Sequence, residues 1–436
     1  MRGAGLSVIA VAFFTARPAS ADPAPPPRVE GERIVRHIEA LSEFGRNPQG
    51  GVSRVAYTEA DRQGRDYVMR LMRDAGLSVQ IDAAGNIVGR LGGGNPALPP
   101  ILLGSHIDSV PNGGNYDGDV GSLGAVEVAQ VLVENRLALR HPLEVIVFEN
   151  EEGVTVGSHA LASGVEPALL ESVSQSGRTI RDGIQFLGGD VAALASARRA
   201  PGSITAYLEL HIEQGGVLDR EKTDIGVVEG IVGILHSEAR VEGFANHAGT
   251  TPMDQRHDAL LSAAELVAEL NRIVTRAPGR QVGTVGWIHA EPGAYNVIPG
   301  VASFGVELRD LDEAKVDSLF GELRAAAERI GRACGTRVSF SEPVKTHPAL
   351  TDPRLQRLID GVARAFGFST RLMPSGAGHD AQEIARIGPV GMIFIPSVGG
   401  ISHAPTEFSR PRDIENGANV LLRAVLELDR NGLAEP

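Results

Sequence analysis

The sequence predicts an α/β protein whose larger domain, a mostly parallel mixed sheet flanked by helices, is interrupted by a smaller α+β domain. Three observations carry that expectation. Nearly continuous apolar runs end in clusters of polar residues, helical periodicities separate those runs, and the rhythm changes midway along the chain before returning.

The first helical patterns are "GERIVRHIEALSEFG" and "EADRQGRDYVMRLMRDAGL", with apolar residues three and four apart and Gly76 closing the second. "LSVQIDAAGNIVGRLGG" then reads as strands. "PPILLGSHIDS" and "PLEVIVFENEEG" are almost wholly apolar before they turn polar, and helical "GSLGAVEVAQVLVENRLA" lies between them. An apolar run between helices is the pattern of a strand buried on both faces of a parallel sheet, and ligands of open α/β sheets bind at the C-terminal strand edge.

From Ile231 the order becomes strand "ILHSEARVEGF", helix "DALLSAAELVAELNRIV", strands "VGTVGWIHAEP" and "ASFGVELRD", helix "EAKVDSLFGELRAAAERI" and strand "RVSFSE". That β-α-β-β-α-β order is ferredoxin-like and predicts a compact inserted domain over 231–343. Helix and strand patterns resume in "DPRLQRLIDGVARAFG" and "GMIFIPSVGG", so the larger domain is expected in two parts, 31–230 and 344–436. Hinges are expected near Ile231 and Pro343, with closure around a ligand.

Arg2, the apolar run Leu6 to Phe14 and "ASA" at Ala19 to Ala21 read as a secretory signal peptide over 1–21, and "DPAPPPR" as part of a proline-rich spacer over 22–30. Cleavage implies a periplasmic or secreted protein; without it the protein would be cytoplasmic. No later stretch has the ~18 unbroken apolar residues of a membrane helix. The chain carries 41 Lys and Arg against 54 Asp and Glu, a net charge of -13, which argues against nucleic acid or an anionic membrane as partner and leaves small polar substrates open. Cys334 is the single cysteine, so no intramolecular disulfide and no thiolate cluster can form. Any metal must use His, Asp and Glu.

Those residue types gather at the strand ends. His106 and Asp108 leave one strand as H-x-D, where one can bind a metal and the other orient it, although such a triplet alone is more often a polar strand end. Asp117 follows in "NYDGDVG"; capping of the next helix is the bland role for this pair of acids and suits Asp119 better. Glu149, Glu151 and Glu152 follow the buried "VIVF", where an unpaired carboxylate is costly. His211 and His403 end further apolar runs. Three strand-end histidines with Asp117 and Glu152 make sense as a dinuclear site for Zn²⁺, Mn²⁺ or Co²⁺, two ions ~3.5 to 4 Å apart sharing a carboxylate and a water.

The motifs "GSHIDSVPNGGNYDG", "FENEEG", "ELHIEQGGVLD", "GVVEGIVG", "HAGTTPMDQRHDAL", "GAYNVIPG", "SGAGHDAQ" and "GGISHAPTEF" occur in one order between Gly104 and Ser409. In them the chain resembles the zinc-dependent amidohydrolases of the aminoacylase and carboxypeptidase superfamily, peptidase family M20, in the hydantoinase/carbamoylase branch. The resemblance implies that His106, Asp117 and His211 hold one divalent ion and Asp117, Glu152 and His403 a second, with Asp117 as bridge and Asp108 as partner of His106. It implies Glu151 as general base, and His247 as the oxyanion-stabilising histidine, contributed across the interface of a homodimer by the inserted lid domain. Asn296 and Arg309 match the groups that bind a substrate carboxylate, and Gln214 and His379 match positions lining the same cleft.

The implied activity is hydrolysis of the carbamoyl C-N bond of N-carbamoyl-L-amino acids, with allantoate amidohydrolase, aminoacylase or dipeptidase as alternatives on the same metals. An intact ligand set with Glu151 counts against a binding module that has lost catalysis. One segment departs from the family pattern: "EEGVTVGSHALASG" is shorter after the base and puts His159 where an arginine is usual, which bears on substrate preference.

Overall fold

The computed structural model describes residues 27–433, so the segment read as a signal peptide and most of the spacer lie outside the described residues. Helices α1 (Gly31–Ser42) and α2 (Glu59–Asp74) precede strands β1 (Ser78–Ile81) and β2 (Ile87–Leu91). Next come β3 (Ile101–His106), α3 (Asp119–Glu134) and β4 (Leu143–Phe148), a parallel crossover. Four short helices, α4 (Glu151–Val154), α5 (Val156–Ala162), α6 (Pro167–Leu170) and α7 (Ile180–Phe186), lead to β5 (Ala206–Ile212), α8 (Val217–Glu221) and β6 (Ile225–Ile231).

The inserted unit runs through β7 (Gly233–Glu242), β8 (Asn246–His247), α9 (Ala259–Arg276), β9 (Val282–Glu291), β10 (Val297–Ile298), β11 (Val301–Asp310), α10 (Glu313–Cys334), β12 (Arg337–Phe340) and β13 (Val344–Thr346). The chain then returns through β14 (Ala349–Leu350), α11 (Pro353–Ala365), β15 (Thr370–Ser375), α12 (Asp380–Ile384), β16 (Val390–Ile395) and α13 (Pro411–Asn431). None of these helices is long and apolar enough to cross a membrane.

The larger sheet has the order β1-β2-β4-β3-β5-β16-β6-β14, with β15 also on β6. Its centre, β4, β3, β5 and β16, runs parallel, and every residue of these four strands is buried. That accounts for their largely apolar sequences: α1, α3, α11 and α13 pack on one face and α5 and α12 on the other. Parallel neighbours end at one edge, so the residues after β3, β4 and β5 emerge together.

The second sheet is antiparallel, in the order β12-β7-β11-β9, and β7 and β11 bury alternate residues under α9 and α10 around Leu235, Phe304 and Leu323. β13, just past residue 343, pairs with β7 in this same sheet.

Asp119 is not the helix cap expected of it. Gly118 occupies the cap position, while the Asp119 carboxylate is fully buried and takes two bonds from Arg54 Nη2, at 2.8 and 2.6 Å. Arg54, also buried, spends its remaining donors on the carbonyls of Ile107, Leu41 and Phe44, so all five N–H groups are satisfied. A buried guanidinium left without a carboxylate is costly, so Asp119 pairs with Arg54 instead of capping α3, whose first turn is itself buried. The pair pins the end of α1, the exit of β3 and the start of α3 to one another. Replacing Arg54 by Met strands a buried Asp119 and is expected to cost about 3 to 5 kcal/mol in urea unfolding, with part of the loss recovered in the double variant Arg54→Met/Asp119→Leu.

Candidate metal centre

His106 is the last residue of β3 and His211 lies near the end of the neighbouring β5. The Nδ1 of His106 lies 3.0 Å from the Asp108 carbonyl, and that of His211 lies 2.9 Å from the Ile212 carbonyl. A carbonyl can only accept, so both Nδ1 atoms carry protons and both Nε2 atoms are free to ligate. Those Nε2 atoms lie 3.6 and 3.2 Å from Asp117 Oδ1. The His211 Nε2 is buried with no hydrogen-bond partner although this oxygen is so close. An imidazole lone pair facing a carboxylate oxygen calls for a cation between them.

The other oxygen of Asp117 looks the other way. His403 Nε2 lies 3.2 Å from Asp117 Oδ2 and 3.5 Å from Glu152 Oε2. The ligand atoms of His106, Asp117 and His211, and those of Asp117, Glu152 and His403, fall within 4.8 Å of one another in each group. Both groups fit a divalent ion of borderline hardness. Glu151 stands beside them, its Oε2 3.6 Å from His106 Nε2.

The electrostatics agree. Burial opposes the charge on Asp117, but the imidazoles of His106, His211 and His403 outweigh it and hold its carboxyl well below the usual range. Burial likewise opposes a charged His106, yet Glu151, Asp117 and Asp108 raise it well above an ordinary histidine, and Asp117 lifts His403 to about 9. Burial pushes Glu151 well above the usual carboxyl range and Glu152 up to about 7. The whole group favours positive charge between its nitrogens and oxygens.

Three features shape the loops. The Asp108 carboxylate accepts from the backbone N–H of Glu151 and Glu152, at 3.2 and 3.1 Å, so it caps the start of α4 and sets both glutamates. Its own role toward His106 is therefore filled by its carbonyl, the carboxylate lying 3.8 Å from Nδ1. At Gly118, with φ 67°, a Cβ would lie 2.5 Å from the His106 ring. Gln214, itself left-handed, donates its amide to Asp117 Oδ2 at 2.6 Å and lies 3.4 Å from His403 Nε2.

A cavity of about 570 Å³ opens onto Glu151, Glu152, Gln214 and His403, and Arg309 of β11 also lines it. Arg309 is held from behind: Nε and Nη2 bond Glu307 at 2.8 and 3.0 Å, and Nη1 bonds the Gly376 carbonyl at 2.7 Å. His379 is brought near but beneath the cleft; it is buried, its ring centroid 4.5 Å from that of His211, with Nε2 on Ser375. His247 and Asn296 lie on or beside the short β8–β10 ribbon, and neither lines this cavity within one chain. The His247 Nδ1 accepts from the N–H of Gly249 and Thr250, which leaves the proton on an exposed Nε2.

The sequence pattern of peptidase family M20/M25/M40 matches residues 102–427. The chain belongs to that family. An N-carbamoyl-L-amino acid amidohydrolase of Geobacillus stearothermophilus is 38% identical over 405 residues, covering 92% of this chain and 99% of that protein. An allantoate amidohydrolase of Bacillus subtilis is 35% identical over 401 residues, covering 91% and 97%. The crystal structure of an amidase of the hydantoinase/carbamoylase family from Burkholderia multivorans superposes with a TM-score of 0.86 at 36% identity, over 92% of this chain and 98% of that one.

Two residues that build this M20 site were not singled out by sequence reasoning. Glu407, inside "HAPTEF", accepts from the N–H of Tyr116, Asp117 and His403 and from Ser402 Oγ, clamping the two ligand loops together. Its side chain fills the space a Cβ at Gly114 would need, 2.2 Å away. Glu209, two residues before His211, is buried on Ser105 and Tyr207 below the ligands. An acid within an apolar strand was the available signal for Glu209; for Glu407 there was none beyond its motif. Gly118→Ala and Glu407→Ala are each expected to weaken divalent-metal binding by about 10 to 100-fold in a titration while leaving the circular dichroism spectrum intact.

Proposed function

We propose that the protein is a dinuclear-metal amidohydrolase that cleaves the carbamoyl C-N bond of N-carbamoyl-L-amino acids, with water giving the amino acid, CO2 and ammonia. The observation that carries this reading is the single carboxylate of Asp117 facing two ligand groups, with Glu151 beside it and Arg309 in the same cavity. His106, Asp117 and His211 would hold one ion of Zn²⁺, Mn²⁺ or Co²⁺, and Asp117, Glu152 and His403 the other. Ions held there supply Lewis-acid activation of water and of the scissile carbonyl.

Glu151 accepts a proton from the attacking water and returns it to the leaving nitrogen. Burial raises its affinity for that proton. Arg309, its side already fixed by Glu307, turns its free N–H groups to the substrate α-carboxylate, and Asn296, off this cavity within one chain, would add the second contact from the other subunit of a homodimer. Allantoate is the second reading, favoured by the similarity to an allantoate amidohydrolase.

His247 would reach the site from the other subunit of a homodimer and donate from Nε2 to the oxyanion. Support comes from β9, a ten-residue edge strand paired on one side only among the described residues, with Trp287 and Ile288 exposed on it. Leu260 and Leu261 on α9 are exposed as well.

Glu151→Gln is expected to lower kcat on N-carbamoyl amino acids by about 100 to 10,000-fold while metal content by elemental analysis stays at the wild-type value. Wild-type turnover in that variant would refute the assignment. Trp287→Lys combined with Ile288→Lys is expected to yield monomers in sedimentation velocity, with activity falling in step; full activity in a monomer would remove His247 from the reaction.

A further inference from the structure

His159 and Glu383 line the same cavity as Glu151 and Glu152, one from α5 and the other from α12. His159 Nδ1 lies 3.1 Å from Glu383 Oε2. A carboxylate only accepts, so the neutral imidazole keeps its proton on Nδ1 and turns an accepting Nε2 outward. Arg386 Nε lies 3.2 Å from the same Glu383 oxygen. Both donors thus use Oε2, and neither Glu383 Oε1 nor His159 Nε2 has a protein donor among the described residues. The two side chains keep 14% and 26% of their surface exposed, so these acceptors face solvent in the cavity.

The charge on this wall is already balanced. Arg386 compensates Glu383, Lys345 is engaged by Asp317 at 2.5 Å, His347 Nδ1 lies 2.9 Å from Glu313, and Arg309, the remaining rim guanidinium, is kept for the substrate α-carboxylate. A cationic or anionic side chain gains little there. A neutral group with N–H donors can satisfy both acceptors, whereas an aliphatic group of the same shape would take their water away and give nothing back.

We infer that His159 and Glu383 select substrates whose side chain ends in the uncharged NH₂ group of a carboxamide over aliphatic ones. The inference rests on the reading that this cavity takes an N-carbamoyl amino acid, and it deepens that reading by naming the side-chain class.

The test compares the near-isosteric N-carbamoyl derivatives of asparagine and leucine. Dissociation constants are measured by calorimetry on metal-loaded Glu151→Gln protein, and kcat/KM on the wild type. The asparagine compound is expected to be favoured by about ten-fold or more in binding, the worth of one to two net hydrogen bonds. Glu383→Leu and His159→Leu, each introduced separately, are expected to bring that ratio to within about three-fold. A preference for the leucine compound, or an unchanged ratio in the folded variants, overturns the inference; if one variant does not fold, the wild-type ratio and the other variant decide. Running the N-acetyl pair alongside separates the two levels. Cleavage of acetyl but not carbamoyl compounds would sink the proposed reaction, while the asparagine-to-leucine ratio within the acetyl series still decides the side-chain selection.

Discussion

The carboxylate of Asp117 is buried among three imidazoles, and the rest of the site is arranged around holding it there. An isolated buried carboxylate would take up a proton instead. Here His106 and His211 approach one oxygen and His403 and Gln214 the other, while Glu407 grips the backbone N–H of Asp117 and of its neighbour. The two-sided approach requires ligands from β3, from β5 and from the loop after β16. Those strands run parallel side by side, so their C-terminal ends deliver the residues to one edge.

A second buried charge pair stabilises the frame. Arg54 and Asp119 lock the segment between β3 and α3 that carries Asp117, and Asp108 ties that segment to α4 through the amides of Glu151 and Glu152. Left-handed backbone gathers at the same place: Asn150 precedes the two glutamates, Thr155 closes α4, and Gln214 and His403 both touch Asp117. Such conformations cost of order 1 to 3 kcal/mol each for non-glycine residues and persist where surrounding contacts over-determine them. Their clustering on the ligand loops matches a site whose geometry outranks local comfort.

The second sheet contributes a different chemistry. Arg309 projects from β11 into the cavity that Glu151 opens onto, and its fork is fixed from one side by Glu307, which His236 also contacts at 2.7 Å. A guanidinium oriented in advance loses less freedom when it meets a carboxylate. The cavity is therefore built by both sheets.

The sequence by itself determined the α/β class, the parallel central strands and the polar edge, because a strand buried on both faces must be apolar throughout and can turn polar only where it ends. It also singled out His106, Asp117, Glu152, His211 and His403, which sit at such ends or in motifs of known order and which the fold gathers into two groups able to hold a metal ion. What only the tertiary structure decided is who holds whom. Asp119 looked like a cap because capping is a local property, whereas its partner Arg54 is 65 residues away. Glu407 clamps Asp117 across 290 residues, Asp108 serves α4 rather than the His106 ring, and His379 packs under His211. Periodicity and motif spacing record local conformation and burial; pairings between distant segments are fixed by the fold, and they leave no mark in a single chain.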